Sequence, residues 1–270
     1  MEEMDVTIVI PTLGRVREAT ELASVLDGLD PGPKQVIFVF QRSDELKKWE
    51  DTRVSTLATG LLCGSQGSSV ARNHGAKQAH TKYLVFLDDD CVPAEKSWMA
   101  QLIAPLAWPK VVLATGQVRG WDDYANPFKL VKKAFMLSKW LLIPYGNPES
   151  DRSGWCMTVA GGNFAVETQK FLRFGGFSER FGSPSIFEET ELSLRFSRAG
   201  KGKIWYSADA AVAHRQAKHG GMRDQDAEPL EGFLLGQKRL LFSLLFGEGF
   251  SMAVRFALYR LLRRVLRVLR

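Results

Sequence analysis

Cysteine is scarce: Cys63, Cys91 and Cys156 are the only three in 270 residues. They are far apart, odd in number and form no CxxC pair. That excludes a disulfide framework and points to a reducing, cytoplasmic compartment. Long apolar runs are missing too. No stretch reaches the roughly 18 uncharged apolar residues that a membrane-spanning helix needs. The longest candidate, around 240–247, is broken by Lys238, Arg239, Glu248 and Arg255. The acidic start, MEEMDVTIVIPT, has too short an apolar run for a secretory signal. There is no internal repeat and no low-complexity segment. The chain also lacks a GxxxxGK[ST] phosphate loop, a GxGxxG after its first strand, a GxSxG elbow and an HExxH pair. P-loop NTPase, dinucleotide oxidoreductase, typical α/β-hydrolase and zincin readings therefore lose their main support.

Charge is present but unevenly spread. The net charge of +6 comes from 36 basic and 30 acidic residues. Residues 253–270 hold six arginines and no acid, so the rest of the chain is balanced at 30 and 30. Basicity is a local device, and without basic stripes in the body nucleic acid is not an expected partner. With 45% hydrophobic residues, the chain has enough apolar side chains for a sizeable core. On a helical wheel the arginines at 260, 263, 264, 267 and 270 fall within a sector of about 120°, with Leu and Val opposite. Such a helix suits an anionic membrane surface, or equally packs its apolar face on the domain. In the first case the protein docks peripherally on the inner face of the cell membrane.

Short β-branched runs at 6–10, 36–40, 83–87, 111–115 and 203–206 alternate with helical spacing at 16–29, 70–80 and 98–106. Runs that are apolar throughout predict a mostly parallel sheet with helices on both faces, an α/β fold. Further on, the pattern predicts a helix at 128–142, a strand at 158–166 crossed by Gly161 and Gly162, and a helix at 188–199. Strands at 204–214 and helical sequence from Pro229 complete it. Two regions are expected: 1–228 as the main domain, divided at about 118, and 229–270 as a C-terminal helical extension.

In such sheets ligands bind beyond the carboxyl ends of the strands. Asp88, Asp89 and Asp90 leave the 83–87 run at that edge. In extended geometry Asp88 and Asp90 share a face, and two converging carboxylates invite a hard divalent ion such as Mg2+ or Mn2+. The ordinary alternative is a cap on the following helix. Glu188, Glu189 and Glu191 open the 188–199 helix, where acids suit the macrodipole; a glutamate here can also serve as a general base. Gly161, Gly162 and Asn163 suggest a close backbone approach to a ligand or a bulge. His214 closes the last strand as a third metal ligand, a phosphate contact or a plain hydrogen-bonding group. Ser69 to Asn73 opens a helix after a Gly/Ser approach, which suits an anion or a simple cap.

The order of these pieces is more specific than any one of them. VTIVIPT at 6–12, SVARNHG at 69–75 and FLDDD at 86–90 resemble the nucleotide-sugar half of family 2 glycosyltransferases. GGNF at 161–164, GGFSERF at 175–181, EETEL at 188–192 and VAH at 212–214 are similar to that family's acceptor half. The resemblance covers roughly residues 5–240. It implies a GT-A fold, a nucleoside-diphosphate sugar as donor, a divalent cation (Mn2+ or Mg2+) and inverting transfer to a glycan or lipid-linked acceptor. By the same resemblance Asp88 and Asp90 hold the metal, with His214 as the candidate third ligand. Asp88 and Asp89 touch the nucleotide, Pro11, Thr12 and Arg15 lie near the nucleobase, and Arg72 lies near the base or phosphates. Gly162, Asn163 and Glu188 line the acceptor side, and Glu189 is the catalytic base. Two departures stand out. Where the family commonly closes its second strand with an aspartate, Phe40 and Gln41 stand here, with Gln41 the candidate donor contact, leaving UDP, GDP and dTDP open. Glu189 replaces the usual aspartate and is one methylene longer. The QxxRW motif of processive synthases is absent, so single-sugar transfer is expected. A glycoside hydrolase using the two acid clusters, or a non-catalytic scaffold on the same fold, are the rival readings.

Overall fold

The computed structural model describes residues 3–120, 132–138, 143–182, 186–217, 219–221 and 229–245, together with 254 and 257. The chain runs β1 (Glu3–Thr12), α1 (Val16–Leu26), β2 (Gly32–Phe40), α2 (Ser43–Thr52), β3 (Ala58–Leu62), α3 (Ser68–Ala76), β4 (Tyr83–Leu87), β5 (Cys91–Pro93), α4 (Trp98–Ile103) and β6 (Val111–Arg119). It continues through β7 (Met136–Ser138), β8 (Ile143–Tyr145), β9 (Gly154–Cys156), β10 (Asn163–Glu167), α5 (Thr168–Arg173), α6 (Glu188–Ala199), β11 (Lys203–His214) and α7 (Pro229–Leu245).

Nine strands make one sheet in the order β3-β2-β1-β4-β10-β6-β11-β5, with β9 added on β11. The β3-β2-β1-β4 run is parallel, as is β6 with β11. β10 lies antiparallel to both β4 and β6, and β5 and β9 run against β11. The expected parallel sheet is therefore mixed in its second half. β10, from the later part of the chain, sits between β4 and β6 from the earlier part.

Both faces of the central strands are apolar, and the alternation of strand side chains explains why. Val6, Ile8 and Ile10 face a core shared with Ala19, Leu22, Ala23 and Leu26 of α1 and with Trp49 and Trp98. Their neighbour Val9 faces the opposite core, with Ala71 of α3, Phe171 of α5, and Leu192 and Phe196 of α6. Phe86 anchors this second core, its ring centroid 4.8 Å from Phe164 and 5.0 Å from Phe171. Helix α3 lies so near the sheet that a Cβ on Gly75 would stand 2.9 Å from Val39 Cγ2.

Two expectations need correction or limits. Of the helix expected at 128–142, the described part, 132–138, is not helical. Phe135 takes a positive φ of 44°, and its carbonyl accepts from Met157 N and Thr158 N at 2.9 and 3.0 Å. That oxygen is thus committed to a distant segment rather than to the next helical turn, and Met136–Ser138 pairs with Ile143–Tyr145 instead. Residues 128–131 and 139–142 lie outside the described set, as does nearly all of the basic segment 253–270. Helix α7 packs on the turn before α6 through Phe181, Phe187, Leu240 and Leu244. Among the described residues no helix is long and apolar enough to cross a membrane.

Asn163 ties the mixed half of the sheet together. Its side chain is fully buried. Its Nδ2 donates to Gln117 O and Ala210 O at 3.0 and 2.9 Å, and its Oδ1 accepts from Trp98 Nε1 at 3.0 Å. The acceptor contact expected of Asn163 is corrected accordingly, because its amide is fully engaged by β6, β11 and α4. Asn163→Ala leaves buried polar partners unpaired, and we expect a stability loss of about 2–4 kcal/mol in urea denaturation. A loss below about 1 kcal/mol contradicts this role.

Candidate functional site

The triple aspartate does not continue the strand. Cys91 N donates to Asp88 O at 3.0 Å, closing a turn across Asp88, Asp89 and Asp90. The period-two alternation ends at Leu87, and Asp88 parts from Asp89 and Asp90. The expected pairing of Asp88 with Asp90 is therefore not what this structure has. Asp88 turns toward Arg72, its Oδ1 accepting from Nη2 at 2.8 Å. Asp89 and Asp90 turn toward Arg15, whose Nη1 lies 2.8 and 2.9 Å from them. The other oxygen of Asp90, Oδ1, stands 3.5 Å from His214 Nε2. Ligand atoms of Asp90, Cys91 and His214 all lie within 4.8 Å of one another.

Arg72, one turn into α3, is the centre of the other cluster. Its Nη1 binds Glu188 Oε1 at 2.5 Å and comes within 3.8 Å of Glu189 Oε1, while its guanidinium sits 5.2 Å from the centroid of Phe177. Ser68 Oγ donates to Glu188 at 2.7 Å, and Ser69 Oγ donates to its second oxygen. Glu188 is only 1% exposed, and these three donors occupy its carboxylate. Glu189 keeps its side chain 24% exposed, which leaves it facing the open side of the cluster. The two glutamates are presented by Phe187, which takes a left-handed backbone with φ of 72°. An aromatic residue holds that conformation only under tertiary constraint, and Phe187 is gripped by Phe233 of α7, ring centroids 5.1 Å apart.

The paired glycines lie against the Arg72 cluster. A Cβ on Gly161 would collide with Glu189 Oε1, and one on Gly162 would stand 2.6 Å from Asp88 Oδ2. The bare backbone lets the loop slip between two carboxylates, so what these glycines admit is the site's own acid groups. The segment after β11 covers the other flank. Arg215 N donates to Asp90 O at 2.8 Å and Ala217 N to Asp90 Oδ2 at 3.3 Å. Arg15 Nε and Nη2 bond His219 O and Gly220 O at 2.9 and 3.2 Å.

Five carboxylates thus face two guanidinium groups, and the titration behaviour reflects the imbalance. Burial pushes the Asp89 carboxyl up to about 8, with Arg15 restraining the rise only in part. Burial and the neighbouring Glu188 charge raise Glu189, against the pull of Arg72. Burial would raise Asp90 as well, but its bond with His214 and the charge of Arg15 hold it at about 2. Arg72 goes the other way: burial disfavours its charge, yet Asp88, Glu188 and Glu189 more than offset that. Perturbed groups of opposite tendency gathered at the carboxyl edge of a sheet mark a candidate active site. A carboxylate and an imidazole 3.5 Å apart are also a donor set that a divalent cation accepts.

The family described as Glycosyl transferase family 2 matches residues 7–173, well over half the chain. The chain belongs to this family. A curated relative, the O-antigen biosynthesis protein RfbC of Myxococcus xanthus, is 26% identical over 171 residues, covering 58% of this chain and 12% of the relative. The chain thus spans about an eighth of the length of that relative. Among solved structures, S. aureus TarS 1–349 in complex with UDP-GlcNAc superposes with a TM-score of 0.64 at 15% identity, over 96% of this chain and 71% of that one. The mannosyltransferase PcManGT from Pyrobaculum calidifontis, in complex with GDP-Man and Mn2+, gives 0.56 at 15% identity, over 100% and 81%. The fold is GT-A.

The family's expected positions fall into three groups. Asp90, His214, Arg72, Asp88 and Glu189 come together as described. Pro11 and Thr12 end β1 beside Phe40 of β2; Thr12 Oγ1 is buried with no hydrogen-bond partner among the described residues. Three others have structural partners. Arg15 is held by Asp89, Asp90 and the 219–220 carbonyls. Gln41 uses its Oε1 to accept from Gly67 N at 2.6 Å, tethering the start of α3. Glu188 faces Arg72 and two serines. Sequence reasoning missed Ser68 and Ser69 as partners of Glu188 and the role of Phe187; no local pattern announces a contact across 120 residues.

Removing the charge at the hub should be costly. We expect Arg72→Met to destabilise the chain by about 3–5 kcal/mol, since it leaves Glu188 buried and unpaired, and the double change Arg72→Met with Glu188→Met to recover most of the loss. Urea denaturation checks both, and a single variant as stable as the parent would contradict this account.

Proposed function

We propose that this chain transfers a single sugar from a nucleoside-diphosphate sugar to a hydroxyl of a glycan or lipid-linked glycan, with inversion and with a divalent cation, Mn2+ or Mg2+. The observation that carries the reading is the pair of clusters at one sheet edge. Asp90 and His214 stand 3.5 Å apart as a donor set for a cation, and Glu189, with a raised proton affinity, stands across the Gly161–Gly162 backbone from Asp88. Family membership and the nucleotide and Mn2+ named with PcManGT support it.

Asp90 and His214 would hold the cation, which supplies positive charge against the diphosphate as it leaves. Asp88, kept in place by Arg72, faces the donor rather than sharing the ion with Asp90. Pro11 and Thr12 border the nucleobase side, and the unpaired Thr12 hydroxyl is available to it. Glu189 accepts the proton from the attacking acceptor hydroxyl at its carboxylate. Its burial makes that transfer more favourable than it would be for a solvated glutamate. Arg72 stabilises the ionised form of Glu189 without touching the reacting atoms, and it is a positioning residue. A membrane-borne acceptor would suit the basic segment 253–270, which adds an anionic lipid surface to the proposed partners and a peripheral, cytoplasmic location.

Two substitutions separate these roles. Asp90→Ala should lose nearly all transfer and its metal dependence, and full activity of that variant in EDTA would discard the assignment. Glu189→Gln should bind the nucleotide sugar normally while turnover falls by about 100-fold or more; unchanged turnover moves the base elsewhere.

A further inference from the structure

One member of the cation cluster has no place in the reading above. Cys91 follows the triple aspartate directly and opens β5, where it lies opposite His214 in the register with β11. It is 2% exposed, and its Sγ belongs to the group with Asp90 and His214 whose ligand atoms lie within 4.8 Å. The other two cysteines are engaged differently. Cys63 Sγ donates to Ser65 O at 3.5 Å and Cys156 Sγ to Thr158 O at 3.4 Å. Among the described residues no hydrogen bond engages the Cys91 thiol.

We propose that Cys91 makes this site a second, softer metal site: Asp90, Cys91 and His214 bind a Zn2+-class ion in competition with the Mn2+ or Mg2+ of the transfer reaction. The inference rests on the proposed cation role of Asp90 and His214. A carboxylate oxygen, a thiolate and an imidazole nitrogen are three ligands of the type zinc takes, leaving a fourth position open. Hard ions prefer oxygen and gain little from sulfur, whereas thiolate selects soft and borderline ions. Binding breaks the S–H bond, forms the metal–sulfur bond and releases the proton to solvent, with no change of oxidation state. Cys91 thus supplies discrimination against Mg2+ that the Asp90–His214 pair alone lacks, and a Zn2+ ion seated there excludes Mn2+.

Co2+ serves as the optical probe because it takes zinc's ligands and reports sulfur directly. Titrated into the full chain, Co2+ should produce a sulfur-to-metal charge-transfer band in the near ultraviolet, which one equivalent of Zn2+ abolishes. Cys91→Ser should lose the band yet still bind Mn2+ by paramagnetic resonance, while Cys63→Ser and Cys156→Ser retain it. X-ray absorption of the zinc-loaded parent chain needs no variant and should show a sulfur neighbour at about 2.3 Å. Co2+ that displaces Mn2+ without the band, or zinc with only nitrogen and oxygen neighbours, overturns the role of Cys91 and leaves the cation pair standing. If neither Mn2+ nor Co2+ binds, both readings fall.

Discussion

A single buried guanidinium holds the centre of this molecule. Arg72 lies between two acid groups that come from distant stretches of the chain, Asp88 at the end of β4 and the Glu188–Glu189 pair at the start of α6. Without a cation there, three carboxylates could not approach one another in a low-dielectric interior. With it, α3, β4 and α6 are drawn to one point, and the helix that carries Arg72 packs on the sheet so closely that Gly75 has no room for a side chain. The same constraint sets the exposure of the two glutamates. Glu188 takes the inner position with two serine donors, and Glu189 is left on the outside, raised in proton affinity and facing the open side.

The second cluster follows a different logic. Arg15 satisfies Asp89 and one oxygen of Asp90 while holding His219 and Gly220, and Ala217 N donates to the same Asp90 oxygen. That arrangement leaves the other Asp90 oxygen toward His214. One arginine thus fixes the orientation of the carboxylate and the course of the chain that covers it. The acid excess that remains, five carboxylates against two guanidinium groups, is charge that a divalent cation would partly offset.

Much of this was legible in the order of motifs. The apolar runs at 6–10, 36–40, 83–87, 111–115 and 203–206 all lie in strands, and DDD, GGN, EET and VAH converge from four separate stretches. What stayed hidden was geometry that depends on long-range contact. The turn at Asp88 breaks the alternation on which the Asp88–Asp90 pairing was based, and it is recorded only in the bond from Cys91 N to Asp88 O. The reversal of β10 has no signature in its sequence NFAVE, which is as apolar as a parallel strand. Helix α2 and strand β3 escaped notice because their sequences are mostly polar or short: α2 buries only Glu45 and Trp49. Arg15 and Gln41 stand where donor contacts are expected, but their side chains are spent on holding loops.

The central claim is that Asp90 and His214 bind a cation that makes the nucleoside diphosphate bind beside Glu189. Calorimetric titration of UDP and GDP, with and without Mn2+, tests it most directly. The account predicts affinity for one of them at least about tenfold higher with Mn2+, and no difference between the two conditions in His214→Ala. Equal affinity with and without the metal in the parent chain would contradict it.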